Sequence, residues 1–374
     1  MIVRPSIERF RAKRARLARQ RSGERGVAIL ITLLLVLGVG IGLVTAGVAR
    51  TVPLQLRAEN KAMSAMAEAK QALIGRAVAD DDRPGSLPCP DSDNDGIADA
   101  IPVLSVLGDC PSYIGRLPWK TLGLPDLRDE HGERLWYALS PKYRDHLIAQ
   151  PINSDTPGKG PPDLLVFANT TATTLAPKAV AVIFSPGASV RGQQRDATAA
   201  LCAVTGTTIP NDRCVSNYLE SAGGADNASA TGPYISAQKS GAFNDRLAVL
   251  TPADLMPLVE VRVAGELRRA LISYRLESSC NCFPWAGNAL GESQPGLNRG
   301  RFPSARALPE NWGYDDIPRL PPWVDQNRWG DVVYYSAAQK AVQQPSRGGV
   351  PCDKCTSPTL IVDETGGYLS LIHI

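Results

Sequence analysis

Histidine is almost missing from this 374-residue chain, which holds three. His131 and His146 both stand in a short charged stretch that reads as solvated. The short signatures of common active sites are missing too. No Gly-x-Ser-x-Gly elbow, His-Glu-x-x-His helix, Walker loop or Rossmann glycine pattern occurs. Asp/Glu pairs are too common to identify a glycosidase without geometry, so nothing here demands an enzyme. The body of the chain also lacks a basic excess. The formal charge is +3, but nine Lys/Arg stand against Glu8 and Glu24 between Met1 and Gly26, a net of +7, which leaves the remainder at −4. A nucleic-acid-binding body is therefore not indicated. Hydrophobic residues at 44% and charged residues at 21% rule out wholesale disorder. Gly 33 and Pro 30, together about 17%, predict many turns and few long helices.

No charge interrupts Val27 to Ala49, a run of 23 residues. As a helix it spans roughly 35 Å, enough to cross the hydrocarbon core of a bilayer. The basic block ahead of it stays in the cytoplasm by the positive-inside rule, which puts everything after Arg50 outside. A secretory signal peptide, with a shorter apolar core and a small-residue cleavage site, is the competing reading, and Ala49 lies near the end of the run. Gly38-x-x-x-Gly42 permits close helix packing in lipid. Pro53 breaks or kinks the helix beyond the membrane. A second helical stretch is expected from about Leu54 to Ala79, because Ala62, Ala65, Met66, Ala69, Leu73 and Ala77 recur at threes and fours on one face.

The junction Ser22-Gly23-Glu24-Arg25-Gly26-Val27, a basic leader ending in Gly just before the apolar run, resembles the class III leader of type IV pilins and type II secretion pseudopilins. The string ALIGRAV…RPGSLPCPD…GRLPWKTLGLPD…GERLWYALS is similar to prepilin-type proteins of Gram-negative bacteria, over about Gly26 to Ser140. The resemblance implies cleavage by a prepilin peptidase after Gly26 and methylation of Val27. Ile31 replaces the Glu usual at the fifth mature position, which favours a minor or initiating subunit. The fold implied is α+β: a long N-terminal membrane-spanning helix leading into a pilin-like head with an antiparallel sheet, turn-rich and disulfide-stapled. The function implied is that of a minor pilin or pseudopilin subunit of a type IV pilus or type II secretion filament, not an enzyme. It would contact the prepilin peptidase, other pilins through its N-terminal helix and the inner membrane, with its head in the periplasm. The alternative from another class is a membrane-anchored periplasmic binding protein or hydrolase that never enters a filament.

Cysteine is absent before residue 89; all eight (Cys89, Cys110, Cys202, Cys214, Cys280, Cys282, Cys352 and Cys355) follow the apolar run. In an oxidising compartment they read as disulfides, with Cys89–Cys110 and Cys202–Cys214 as local pairs. Cys280-x-Cys282 and Cys352-x-x-Cys355 are open between disulfides, in either pairing, and a four-thiolate zinc site. A redox Cys-x-x-Cys enzyme is disfavoured, since no thioredoxin-like pattern surrounds Cys352.

Asp91-x-Asp93-x-Asp95-Gly96-x-x-Asp99 places carboxylates at positions one, three, five and nine of a calcium loop, with Gly at six and the Ile97 carbonyl at seven. Position twelve is Pro102, so a full EF-hand is rejected. The open alternatives are a structural calcium loop and an Asp-rich surface turn. Strands are expected at Arg134–Leu139, Asp163–Ala168, Ala179–Ser185 and Arg246–Leu250. Thr251-Pro-Ala-Asp254 caps a helix whose face is Leu255, Val259, Val263, Leu267, Leu271 and Tyr274. Asn217–Tyr234, Gly/Ala/Ser/Asn-rich, reads as an exposed loop holding a formal glycosylation sequon at Asn227. The tryptophans of Trp285–Trp329 read as core and turn packing rather than a glycan platform. Cys282-Phe-Pro-Trp285, Gly300-Arg-Phe-Pro303, Trp323 and Trp329-Gly-Asp-Val-Val-Tyr-Tyr-Ser336 echo Pro88-Cys-Pro, Gly115-Arg-Leu-Pro-Trp119 and Leu135-Trp-Tyr-Ala138, though with different gaps; a duplicated or elaborated head and chance are the alternatives.

The expected layout is a leader (1–26), the membrane helix with its amphipathic continuation (27–80) and a head (81–368). Within the head, half-units 81–150 and 276–368 would flank a core of 160–275. Residues 369–374 read as a sequencing-adapter scar.

Overall fold

The computed structural model describes residues 59–100, 108–146, 151–158, 163–196, 202–204, 207–277, 283–303 except 293 and 295, 320–336, 359–364 and 368–373. The chain divides into two compact units, Met1–Asn60 and Lys61–Ile374.

The first described helix, α1, runs over 59–79. Ala62, Ala65, Met66, Ala69, Leu73 and Ala77 are all buried, while Ser64, Glu68, Gln71 and Gly75 are exposed. The 3.6-residue periodicity thus translates directly into one packed face. Then come β1 (Ile114–Arg116), β2 (Trp136–Leu139), β3 (Leu164–Phe167), β4 (Thr174–Ala179) and β5 (Ala181–Ser185). They are followed by β6 (Cys202–Val204), β7 (Thr207–Ile209), β8 (Ser221–Ala222), β9 (Ala225–Asp226), β10 (Tyr234–Ile235) and β11 (Arg246–Leu250). The long helix α2 (Pro252–Glu277) precedes β12 (Arg299–Arg301), the short α3 (Pro322–Gln326), β13 (Val333–Ser336), β14 (Thr359–Glu364) and β15 (Tyr368–His373). Residues 369–373, read from the sequence as a scar, lie in β15.

Two four-stranded antiparallel sheets dominate, in the orders β1-β2-β5-β11 and β12-β13-β14-β15. A three-stranded sheet has the order β10-β3-β4, and two short hairpins, β6–β7 and β8–β9, complete the set among the described residues. The first sheet is covered on both faces. Tyr137, Leu139, Ala181 and Ile183 join the core of the helices, while Trp136, Ala138, Val182 and Phe184 join a second core with Val166, Tyr218 and Tyr234. That is why β5 is apolar at consecutive positions instead of alternating.

Helix α2 starts as its sequence suggests. Pro252 is its first residue, and the Asp254 carboxylate accepts from the Thr251 N–H at 2.8 Å and hydroxyl at 2.6 Å. Burial works to raise the Asp254 pKa, but the Thr251 donors and Lys70 hold it below the usual value. Leu255, Val259, Val263, Leu267, Leu271 and Tyr274 are all buried. Lys70 reaches Asp254 at 3.0 Å, and Arg262 donates to the carbonyls of Val78 and Asp80. Contacting pairs therefore advance together along both helices, and α1 and α2 run parallel.

Three expectations need correction. Among the described residues no helix is long and apolar enough to cross a membrane, and a long N-terminal helix running into the head is not seen. The first described helix is amphipathic, with charged residues on its outer face, and the apolar run 27–49 lies outside the described residues. The head is not one antiparallel sheet but several small ones, and β10 pairs with β3 in parallel. Nor is Asn217–Tyr234 exposed throughout. Leu219, Asn227 and Tyr234 are buried, and the Asn227 amide donates to the Ile235 carbonyl and to Asp245. Ser221, Asp226 and Thr231 do stay exposed, so the composition of a solvated loop covers a partly buried segment. Asn227 is consequently closed to glycosylation in the folded head.

Candidate metal centre

The Asp-rich loop 91–99 follows Cys89 and lies within the span closed by the Cys89–Cys110 disulfide. Asp91 is buried and exchanges backbone hydrogen bonds with Arg116, at 3.0 and 2.6 Å, as a single-residue extension of the first sheet. Its carboxylate folds the loop around itself, accepting from the Asn94 N–H at 2.6 Å and the Gly96 N–H at 2.7 Å. Asn94 and Gly96 both sit at positive φ, 66° and 88°. At Gly96 the Trp119 indole lies 2.6 Å from where a Cβ would stand, so no larger residue fits.

The turn brings carboxylate oxygens of Asp91, Asp93 and Asp99 within 4.8 Å of one another. Asp99 Oδ1 accepts from the Ser92 N–H at 3.2 Å, while its Oδ2 is buried without a hydrogen-bond partner. Burial raises the Asp91 carboxyl above its ordinary pKa; the Gly96 and Asn94 N–H groups oppose this, and Asp95 and Asp93 add repulsion. Three clustered carboxylates and an orphaned oxygen suit a hard divalent cation, for which oxygen ligands are the preferred donors. Of the four carboxylates expected to converge, Asp95 is not in the cluster; it accepts from the Ile97 N–H at 2.6 Å.

Sequence reading missed the groups that brace the loop. Lys120 donates to the Asp95 carbonyl, and Arg134 to the Asn94 carbonyl at 2.8 Å and side chain at 2.9 Å. The second staple, Cys202–Cys214, brings Asp212 to the Asn94 amide at 3.3 Å. Beneath the loop, Arg116 lies between the rings of Trp136 and Tyr218, 4.1 and 4.0 Å from their centroids. It donates to the carbonyls of Arg134 and Asp212, both at 2.9 Å. No spacing rule points to these partners, because each is remote in sequence.

A second acidic cluster pairs Glu220 with Asp245, both buried. Glu220 accepts from the N–H groups of Asn244 and Asp245 and from the Gln193 amide, at 2.9, 3.1 and 2.6 Å. Asp245 accepts from the Glu220 N–H and the Asn227 amide. Burial, then the neighbouring Glu220, pushes the Asp245 carboxyl well above its ordinary pKa. A carboxyl with a raised folded pKa stabilises fully below its unfolded pKa and loses that contribution as pH rises through the folded one. Asp245→Asn is therefore expected to flatten the loss of stability to urea that the wild type shows as pH rises above the ordinary carboxylate range, and to gain on the wild type by about 1 kcal/mol or more there. A wild type that gains on the variant as pH rises would refute the assignment.

Gly26, Val27, Cys280, Cys282, Cys352 and Cys355 lie outside the described residues. Compared with protein families, characterised proteins and solved structures, the chain has no significant match.

Proposed function

We propose that this chain is a minor pilin- or pseudopilin-like subunit, held in the inner membrane by the run 27–49, with its head in the periplasm. Its role is structural or initiating at a filament, not catalytic. The observation that carries the reading is the junction itself: a basic leader ending in Gly26, followed by Val27 and a charge-free run of 23 residues. The head adds support of a general kind, with its disulfides and its amphipathic leading helix. Co-expression with a prepilin peptidase is expected to shorten the chain by the 26 leader residues, and Gly26→Ala to block that step. A chain that mass spectrometry finds intact beside an active peptidase would sink the proposal and favour an anchored periplasmic protein outside any filament.

The loop 91–99 is proposed to hold a calcium ion through Asp91, Asp93 and Asp99. Calcium is preferred because its coordination tolerates an irregular, all-oxygen site. Titration calorimetry on the full chain in detergent should show calcium binding that Asp93→Ala or Asp99→Ala weakens at least tenfold. Asp95→Ala should matter far less, because its carboxylate is turned away. At a hundred times Kd, calcium should add about 2.7 kcal/mol of stability. No heat at millimolar calcium, or equal losses for all three variants, would count against the site.

A further inference from the structure

The two large sheets repeat each other strand for strand. Gly115 pairs with Tyr137 and Arg116 with Trp136 in one; Gly300 pairs with Tyr335 and Arg301 with Tyr334 in the other. The third strands continue the match, Ile183 opposite Tyr137 and Leu360 opposite Tyr335. The details repeat as well. The Tyr137 hydroxyl donates to the Pro88 carbonyl at 3.3 Å and that of Tyr335 to the Pro284 carbonyl at 3.1 Å. Three residues beyond each proline, Asp91 bridges Arg116 and Gly287 bridges Arg301. At Gly115 and Gly300 an added Cβ would meet the carbonyl oxygen of that bridging residue.

A helix precedes each sheet, and the helices match at a constant shift of 198 residues. Ala62, Ala65, Met66, Ala69 and Leu73 correspond to Glu260, Val263, Ala264, Leu267 and Leu271, and all ten are buried. Ala-Leu-Ile stands at 72–74 and again at 270–272. The chain thus contains one helix-plus-sheet unit twice, and α2 opens the second copy instead of belonging to a central core.

The two units are not related by a closed symmetry. Equivalent residues differ by 198 in number, but residues in contact between α1 and α2 differ by 184 (Lys70 with Asp254, Val78 with Arg262). The second unit is therefore displaced along a parallel helix by 14 residues, about 21 Å. Such a head-to-tail relation leaves one face of each unit unused. The line Lys70–Ile74–Val78 of α1 is the one beneath α2: its ends touch α2 and Ile74 between them is buried. The same line on α2 is Arg268, Ile272 and Leu276, and it is exposed, with Leu276 75% accessible.

We propose that this line on α2 docks the leading helix of a second copy of the chain, in the geometry by which α2 docks on α1. Continuity with the interface inside the chain selects that occupant, because the complementary face of the first unit is the one it leaves free. By the same stagger, Leu276 meets position 64 of the incoming helix and Ile272 meets position 60; Asn60 and Ser64 are both exposed.

The test uses two full-length variants mixed in detergent, Ser64→Cys and Leu276→Cys, treated with a short bismaleimide. The expected result is a mixed dimer, with yield falling roughly tenfold when Ile272→Asp is added to the second chain. Ser64→Cys with Leu290→Cys, another exposed leucine, serves as the control. A yield no higher than this control, or one that Ile272→Asp leaves unchanged while the melting temperature is also unchanged, would overturn the proposal. Neither readout depends on peptidase processing or on calcium.

Discussion

Arg116→Ala is expected to destabilise the head by about 3–5 kcal/mol, among the largest losses any single substitution should cause. The side chain is 3% exposed. Burial lowers its pKa to about 10, offset by Tyr218, Glu133 and Asp212, so it is charged at neutral pH. The charge is held by two aromatic faces and two carbonyls. Each ring contact is worth up to about 2 kcal/mol when desolvated, and hydrogen bonds from a charged donor about 1.5–3. Truncation leaves the carbonyls of Arg134 and Asp212 short of a donor and opens a gap between Trp136 and Tyr218. Arg116→Lys should recover only part of the loss, because an ammonium neither stacks flat nor forks to two acceptors. Equilibrium urea unfolding at pH 7 measures both. A loss below about 1 kcal/mol for the alanine variant would mean that the guanidinium is not what joins sheet, loop and second staple.

Removing the first staple is the other large effect. Cys89→Ser with Cys110→Ser opens a loop with a sequence separation of 21 and should cost about 3 kcal/mol, most of it through a freer unfolded chain. The Asp loop lies inside that span, so calcium affinity should fall with stability. Wild type unfolded in the presence of a reductant should approach the double variant, apart from what the second staple contributes. If the double variant unfolds at the wild-type urea concentration, the disulfide does not brace the loop.

What the sequence made legible was local. The face of α1, the capped start of α2 with its six buried residues and the two short-range cysteine pairs all follow from patterns within about two dozen residues. The Asp loop was legible as a cluster of oxygen ligands but not in its membership. Spacing cannot tell that the Asp95 carboxylate serves the Ile97 N–H while Asp99 swings back to Ser92. What stayed hidden depended on distant pairing. Arg116 looks like any surface arginine until β2 and the segment at Tyr218 close on it. Asn217–Tyr234 has the composition of a solvated loop, yet Asn227 and Glu220 are bonded inside. The echo of Gly-Arg-Leu-Pro in Gly-Arg-Phe-Pro was legible, but the matching strand register and the correspondence of two buried helix faces, Ala62 against Glu260 among them, were not.

The parallel course of α1 and α2 bears on how the head meets mechanical load. Tension applied at the amino-terminal end of α1 acts along the helix axis, across the Lys70–Asp254 pair and the Arg262 bonds to the carbonyls of Val78 and Asp80. The Lys61 bond to the Asp129 carbonyl ties the same helix to the segment before β2. A pull along the axis loads these attachments in shear, and resistance to extraction is then a matter of unfolding rate.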